Sequence, residues 1–143
     1  MNEKLDPKLV EHIKGLKMEF GDQPQEQLLV QIPNPTSGPG IYVEHRSLEF
    51  TSLCPLNVSQ PDMGEISIWF EPKEFLVELK SLKLYLVSFR TVQVFHEAVP
   101  VVIRDALLTV LGDVRLSVTG TFNVRGGIGT SVTAVSPLLV QDR

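Results

Sequence analysis

From Val114 to Val124 the side chains alternate: Val114, Leu116, Val118, Gly120 and Phe122 fall on one side of an extended chain, with Arg115, Ser117 and Thr119 on the other. A period of two fits a half-buried strand and not a helix, whose apolar positions recur every three or four residues. Arg125-Gly126-Gly127 then punctuates a tight turn, and residues 128–135 read as the return strand, so the segment predicts an antiparallel hairpin. A second alternation runs over 65–70, with Ile66, Ile68 and Phe70 on one face and Glu65, Ser67 and Trp69 on the other. The strand formers Tyr42, Val43 and Phe50 mark its partner over 41–51.

Between the hairpins the period changes. A helix starting near Leu79 places Leu82, Tyr85, Leu86 and Phe89 on one stripe and makes Lys80 and Lys83 surface neighbours. Two adjacent ammonium groups either meet an anion, such as a ligand phosphate, or form a solvated basic edge; spacing alone allows both. A second helix over 96–111 buries Val99, Ile103, Leu107 and Val110 or Leu111, with Pro100 in its first turns and Gly112 at its end. Near the start, Asp6-Pro7 caps and opens a helix whose packing face carries Leu9, Ile13, Leu16 and Phe20. Residues 23–27 read as loop, 28–32 as a short strand, 33–40 as a Pro/Gly-punctuated surface connection and 75–78 as extended chain. The order strand, strand, helix, helix, strand, strand predicts an α+β fold: an antiparallel sheet of two hairpins with two helices packed on one face. The 143 residues suit one domain, with a helix-and-loop extension over 1–40 and the core over 41–138.

A net charge of -4 speaks against binding nucleic acid through a broad basic surface and favours a small-molecule substrate. One cysteine permits no internal disulfide, which suits a reducing compartment. The charged start, Met1-Asn2-Glu3-Lys4, is followed by no long apolar run, so neither a signal peptide nor a membrane span is expected and cytoplasm is the default. His12, His45, His96 and Cys54 show no metal-ligand spacing, so no metal is expected and a zinc enzyme of cyclohydrolase type is disfavoured.

Several short blocks carry more specific information: Phe50-Thr51-Ser52-Leu53-Cys54-Pro55, Gln60-Pro61-Asp62, Glu78-Leu79-Lys80-Ser81-Leu82-Lys83-Leu84-Tyr85, Ser88-Phe89-Arg90, Phe95-His96-Glu97 and Arg125-Gly126-Gly127-Ile128. Together they resemble the QueF family, the NADPH-dependent nitrile reductases that convert 7-cyano-7-deazaguanine to 7-aminomethyl-7-deazaguanine for queuosine in tRNA. The resemblance covers residues 44–128, and the Glu-to-Tyr block is its most specific element. It implies the tunnelling fold (T-fold), whose subunits join at their sheet edges into rings with ligand sites between subunits; the single-module kind forms a homo-oligomer, a decamer of two pentameric rings.

The resemblance also distributes roles. Cys54 is the nucleophile that adds to the nitrile carbon and forms a thioimide. A thiol in water is only a few per cent ionised near neutrality, so it needs a proton acceptor, and Asp62 is the implied acid–base partner. Taken without the family, Cys54 reads as a small buried hydrophobe and Asp62 as a turn cap. Glu97 would accept two hydrogen bonds from the heterocycle's ring N–H and amino group, with His96 beside it as a contact residue. Read alone, the histidine is structural and the acid a helix N-terminal charge. Val77, Glu78 and Leu79 match the family's other substrate segment. Lys80, Lys83 and Arg125 are the implied clamp for the NADPH phosphates; Gly126-Gly127 lies in a hairpin, so no dinucleotide-binding glycine fingerprint follows a strand.

Two departures stand out. The family run Cys-Pro-x-Thr-Gly-Gln-Pro-Asp is replaced here by Cys54-Pro55-Leu56-Asn57-Val58-Ser59-Gln60-Pro61-Asp62, one residue longer and without its glycine, so the loop must bulge differently. Thr91 stands where asparagine is usual. Two other readings compete with nitrile reduction: a QueF-like amidinotransferase that attacks the thioimide with ammonia on tRNA, which should lack the lysine signature, and a ring-forming purine or pterin binder without redox chemistry.

Overall fold

The computed structural model describes residues 4–36 and 39–141; residues 1–3 and the Ser37-Gly38 pair of the 33–40 connection lie outside them. The four long strands form one antiparallel sheet in the order β2-β3-β5-β6: β2 (Val43–Leu53), β3 (Pro61–Phe70), β5 (Leu116–Arg125) and β6 (Ile128–Val135). Both predicted hairpins are present, and the second closes through Gly126-Gly127, whose φ values of 55° and 81° only glycine adopts without strain. Two helices, α2 (Leu79–Val87) and α3 (Val99–Leu111), cover one face. Their Leu82, Tyr85, Val99, Ile103 and Leu107 interlock with Ile66, Ile68, Phe70, Leu116 and Val118 of the sheet in a single apolar core.

Other expectations are corrected. The first helix, α1 (Pro7–Gly15), is capped by the Asp6 carboxylate as predicted but stops at Gly15; Leu16 and Phe20 lie beyond it and none of its residues is buried. The strand expected over 28–32 is split: Glu26–Leu28 turns as a 3-10 helix, and β1 (Gln31–Pro33) pairs instead with β4 (Phe75–Val77) in a separate two-stranded sheet. The helix expected from His96 begins at Val99, because Ala98 donates back to Phe95 in a turn and Pro100 takes an early helical position that requires no N–H. A short closing helix, α4 (Pro137–Gln141), follows β6.

The register slips once in each hairpin. Ser47 faces Ile66 but Phe50 faces Gly64, so Leu48 and Glu49 together oppose the single residue Glu65. Phe122 faces Thr130 but Arg125 faces Ile128, so Asn123 and Val124 oppose Gly129. Each slip changes which residues look toward the helices. On β2 the inward set passes from Val43, His45 and Ser47 to Phe50 and Ser52; on β5 it passes from the even-numbered residues through Phe122 to Arg125.

Candidate active site

Register places the principal side chains. Ser52 and Asp62 are direct cross-strand partners, Leu53 faces Pro61, and the Cys54 amide donates to the Gln60 carbonyl at 3.2 Å. Asp62 is therefore on strand β3, not on the loop as the sequence suggests. The extra residue is absorbed in the tip between Cys54 and Gln60, where Gln60 donates to the Asn57 carbonyl and Ser59 to the Asn57 side chain, and no non-glycine residue among those described takes positive φ. The half-buried Cys54 stands two residues beyond the buried Ser52. In an antiparallel pair such a residue is a diagonal neighbour of Asp62, about 7 Å away between Cβ atoms.

A backbone clasp brings in the third component. Leu53 donates to the Val92 carbonyl and accepts from the Val94 amide, so residues 92–94 run alongside the end of β2 and deliver Phe95, His96 and Glu97 to the same corner. The His96 ring lies flat on the Phe122 ring, with centroids 4.0 Å apart and 2° between planes. Phe122 can take this position because Gly120 has no side chain; a Cβ there would meet the Phe122 ring at 2.8 Å. Held in this way, His96 Nε2 lies 3.2 Å from Asp62 Oδ2, while Arg125 Nη1 contacts Asp62 Oδ1 from the end of β5.

Asp62 is only 4% exposed, yet these contacts are ionic approaches without hydrogen-bond alignment. Asp62 Oδ1, His96 Nε2, Arg125 Nη2 and the nearby Ser52 Oγ are all buried with no hydrogen-bond partner among the described residues. Buried polar groups are rarely left in that condition, and four of them at one corner make it the candidate site for a polar ligand.

The remaining predicted residues lie elsewhere. Val77 is buried in β4, and the Glu78 carboxylate caps α2 by accepting from the Lys80 and Ser81 amides. Leu79 is 60% exposed. These three line an apolar groove with Val43, His45 and Ile13. The Lys80 ammonium donates to the carbonyls of Ile13 and Lys14 at the end of α1, at 2.9 and 3.0 Å. Lys83 lines a cleft of about 370 Å³ between α2 and β2, shared with Arg90 and Arg46. The Val77–Lys80 group thus sits by the start of β2, and the Cys54, Asp62, His96 and Arg125 group sits past its end. Ten residues of extended chain put these ends roughly 30 Å apart. Sequence reasoning missed Ser52, which looked like one more residue of the strand pattern, and the pairing of Arg125 with Asp62, which depends on the β5 slip and leaves no periodic signal.

The family model described as "QueF-like protein" matches residues 61–137. Curated relatives named NADPH-dependent 7-cyano-7-deazaguanine reductase include one from Ruegeria pomeroyi, 44% identical over 118 residues that cover 82% of this chain and 76% of that one. Another, from Anaeromyxobacter sp. (strain K), is 46% identical over 112 residues, 78% of this chain and 90% of the relative. Among solved structures, the archaeosine synthase QueF-Like in its apo form shares the fold with a TM-score of 0.60 at 20% identity, over 70% of this chain and 96% of that one.

Proposed function

This chain belongs to the QueF family, and from that membership we propose that it is an NADPH-dependent reductase that converts the nitrile of 7-cyano-7-deazaguanine to an aminomethyl group, in the synthesis of queuosine for tRNA. The observation that carries the reading is the corner at the end of β2, where a buried carboxylate, a histidine and a guanidinium converge with several polar atoms unpaired, next to the backbone position of Cys54. Relatives that are 40–46% identical to this chain over 112–118 aligned residues carry the reductase name, and the lysine signature favours reduction over amidinotransfer.

In this reading the Cys54 sulfur adds to the nitrile carbon. The S–H proton passes to Asp62 and from there to the nitrile nitrogen, giving a neutral thioimide with no change in oxidation state. His96 steadies the second carboxylate oxygen and presents its ring edge to the pocket. Glu97, exposed beside it, would accept the paired N–H groups of the deazaguanine edge. NADPH supplies hydride when bound, and two equivalents are consumed because nitrile to amine takes four electrons. The chain's cations suit its phosphates: Lys83 faces an open cleft, Arg125 Nη2 is buried without a partner, and Lys80 holds two peptide carbonyls that phosphate oxygens can replace.

Since the two groups of predicted residues stand at opposite ends of β2, a pocket that uses both takes one group from each of two copies. The outer strands β2 and β6 have unpaired edges suited to joining such copies in the pentameric rings that the resemblance implies.

The deciding experiment is intact-mass spectrometry with 7-cyano-7-deazaguanine and no NADPH. Wild type is expected to gain the mass of one substrate molecule and Cys54→Ala to gain nothing; an unmodified wild type would sink the nucleophile assignment. Lys80→Ala with Lys83→Ala is expected to raise the KM for NADPH at least about tenfold, the loss of one or two charge-assisted contacts, while leaving adduct formation intact. Unchanged KM would remove the clamp.

A further inference from the structure

Arg125 was expected among the phosphate ligands, yet its guanidinium lies against Asp62. We propose that Arg125 is a positioning residue of the acid–base centre, acting in the covalent step that precedes any use of the dinucleotide. The inference rests on the reductase reading and adds to it a role before cofactor binding.

Asp62 is a nearly inaccessible carboxylate, and a buried anion needs a counter-charge. The groups facing it are few. From β2 comes Ser52, the direct cross-strand partner, and just past the strand's end stands Cys54; from the turn before α3 comes His96; from β5 comes Arg125. Of these only the guanidinium carries a charge at every working pH. Its delivery is specific: the Asn123–Val124 slip rotates Arg125 to the inward side, and the glycine turn immediately after it fixes the end of the strand. With Arg125 on one oxygen and His96 on the other, the carboxylate plane is set, and each oxygen keeps a lone pair for the thiol proton. The step is balanced without a cofactor: the S–H bond breaks, the S–C bond forms, and the proton ends on the nitrile nitrogen.

The test is the rate of adduct formation with 7-cyano-7-deazaguanine in the absence of NADPH, followed by intact mass in wild type, Arg125→Gln and Arg125→Lys. Arg125→Gln is expected to slow the adduct at least about tenfold, a modest part of what acid–base positioning contributes, and Arg125→Lys to recover much of that loss. In an Asp62→Asn background, Arg125→Gln should slow it little further, since the two act as a unit. A wild-type adduct rate in Arg125→Gln, with only the KM for NADPH raised, overturns the proposal and leaves Arg125 to the phosphates alone. Should Arg125→Gln fail to fold, Arg125→Met, which keeps the packed stem and introduces no buried amide, decides by the same criterion. Failure of the wild type to form any adduct is a different result: it removes the reductase reading itself.

Discussion

At the scale of single residues, the chain tolerates unpaired polar atoms in two settings. Around Asp62 they surround the corner proposed to take a ligand. Deep in the core the Tyr85 hydroxyl of α2 is also buried without a partner among the described residues, its ring packed edge-on against Phe89 of the 3-10 turn Ser88–Thr91. Burial, reinforced by Glu26 and Asp105, pushes its ionisation well above the ordinary tyrosine range. Because the folded-state value is raised, the stability associated with the neutral phenol is fully present below about pH 10 and is lost as pH climbs past it. Tyr85→Phe is therefore expected to hold or raise stability at pH 7, by up to about 1 kcal/mol, and to remove most of the alkaline fall. Urea melts at pH 7 and pH 10.5 measure both; a loss of more than about 2 kcal/mol at pH 7 would show that the hydroxyl has a partner. The residues of the proposed catalytic corner could be singled out in the sequence because they fall in short, specific motifs. Ser52 was not, since a serine on a strand announces nothing until its cross-strand partner is known.

At the scale of elements, period and punctuation predicted the hairpins, both core helices and the glycine turn, because each is a local consequence of where apolar residues recur. Long-range pairing was beyond reach. The same few residues around Leu28 suit a strand or a turn, and their choice depends on Phe75–Val77 claiming only the later part. The register slips were equally hidden, since an extra residue looks like any other in a line of letters. Between the two kinds of element stands the Gly120–Phe122–His96 stack. Gly120→Ala pushes a methyl into the Phe122 ring, which has Phe50 on another side and cannot retreat freely. The expected outcome is an adduct rate reduced by about tenfold or more through displacement of His96, with the fold retained. An unchanged rate at wild-type stability would mean that the stack does not position His96.

At the scale of the whole molecule, the isolated chain leaves much undone. The edges β2 and β6 are unpaired, and Leu48, Val124 and Ile128, each at least 66% exposed, sit on or beside them. Exposed edges with apolar side chains promote pairing with another chain. Sedimentation velocity at micromolar concentration is expected to show a species several times the 15.9 kDa of one chain. A monomer that still reduces substrate would defeat the shared-pocket reading, because one chain cannot bring Val77–Lys80 to Cys54.

The two register slips and the loop tip between Cys54 and Gln60 have a consequence for how such a sequence can change over time. Each is a slack point where the polypeptide stores one surplus unit of length. Insertion or loss there alters the spacing between motifs yet leaves the carboxylate and the guanidinium together and Cys54 at the end of β2. A single deletion in the taut stretch from Phe50 to Leu53 has no such reservoir, and it would turn the thiol toward the outer side of the sheet, leaving a well-folded but inert protein. Homologous chains should accordingly differ in length at the slack points and agree residue for residue between them.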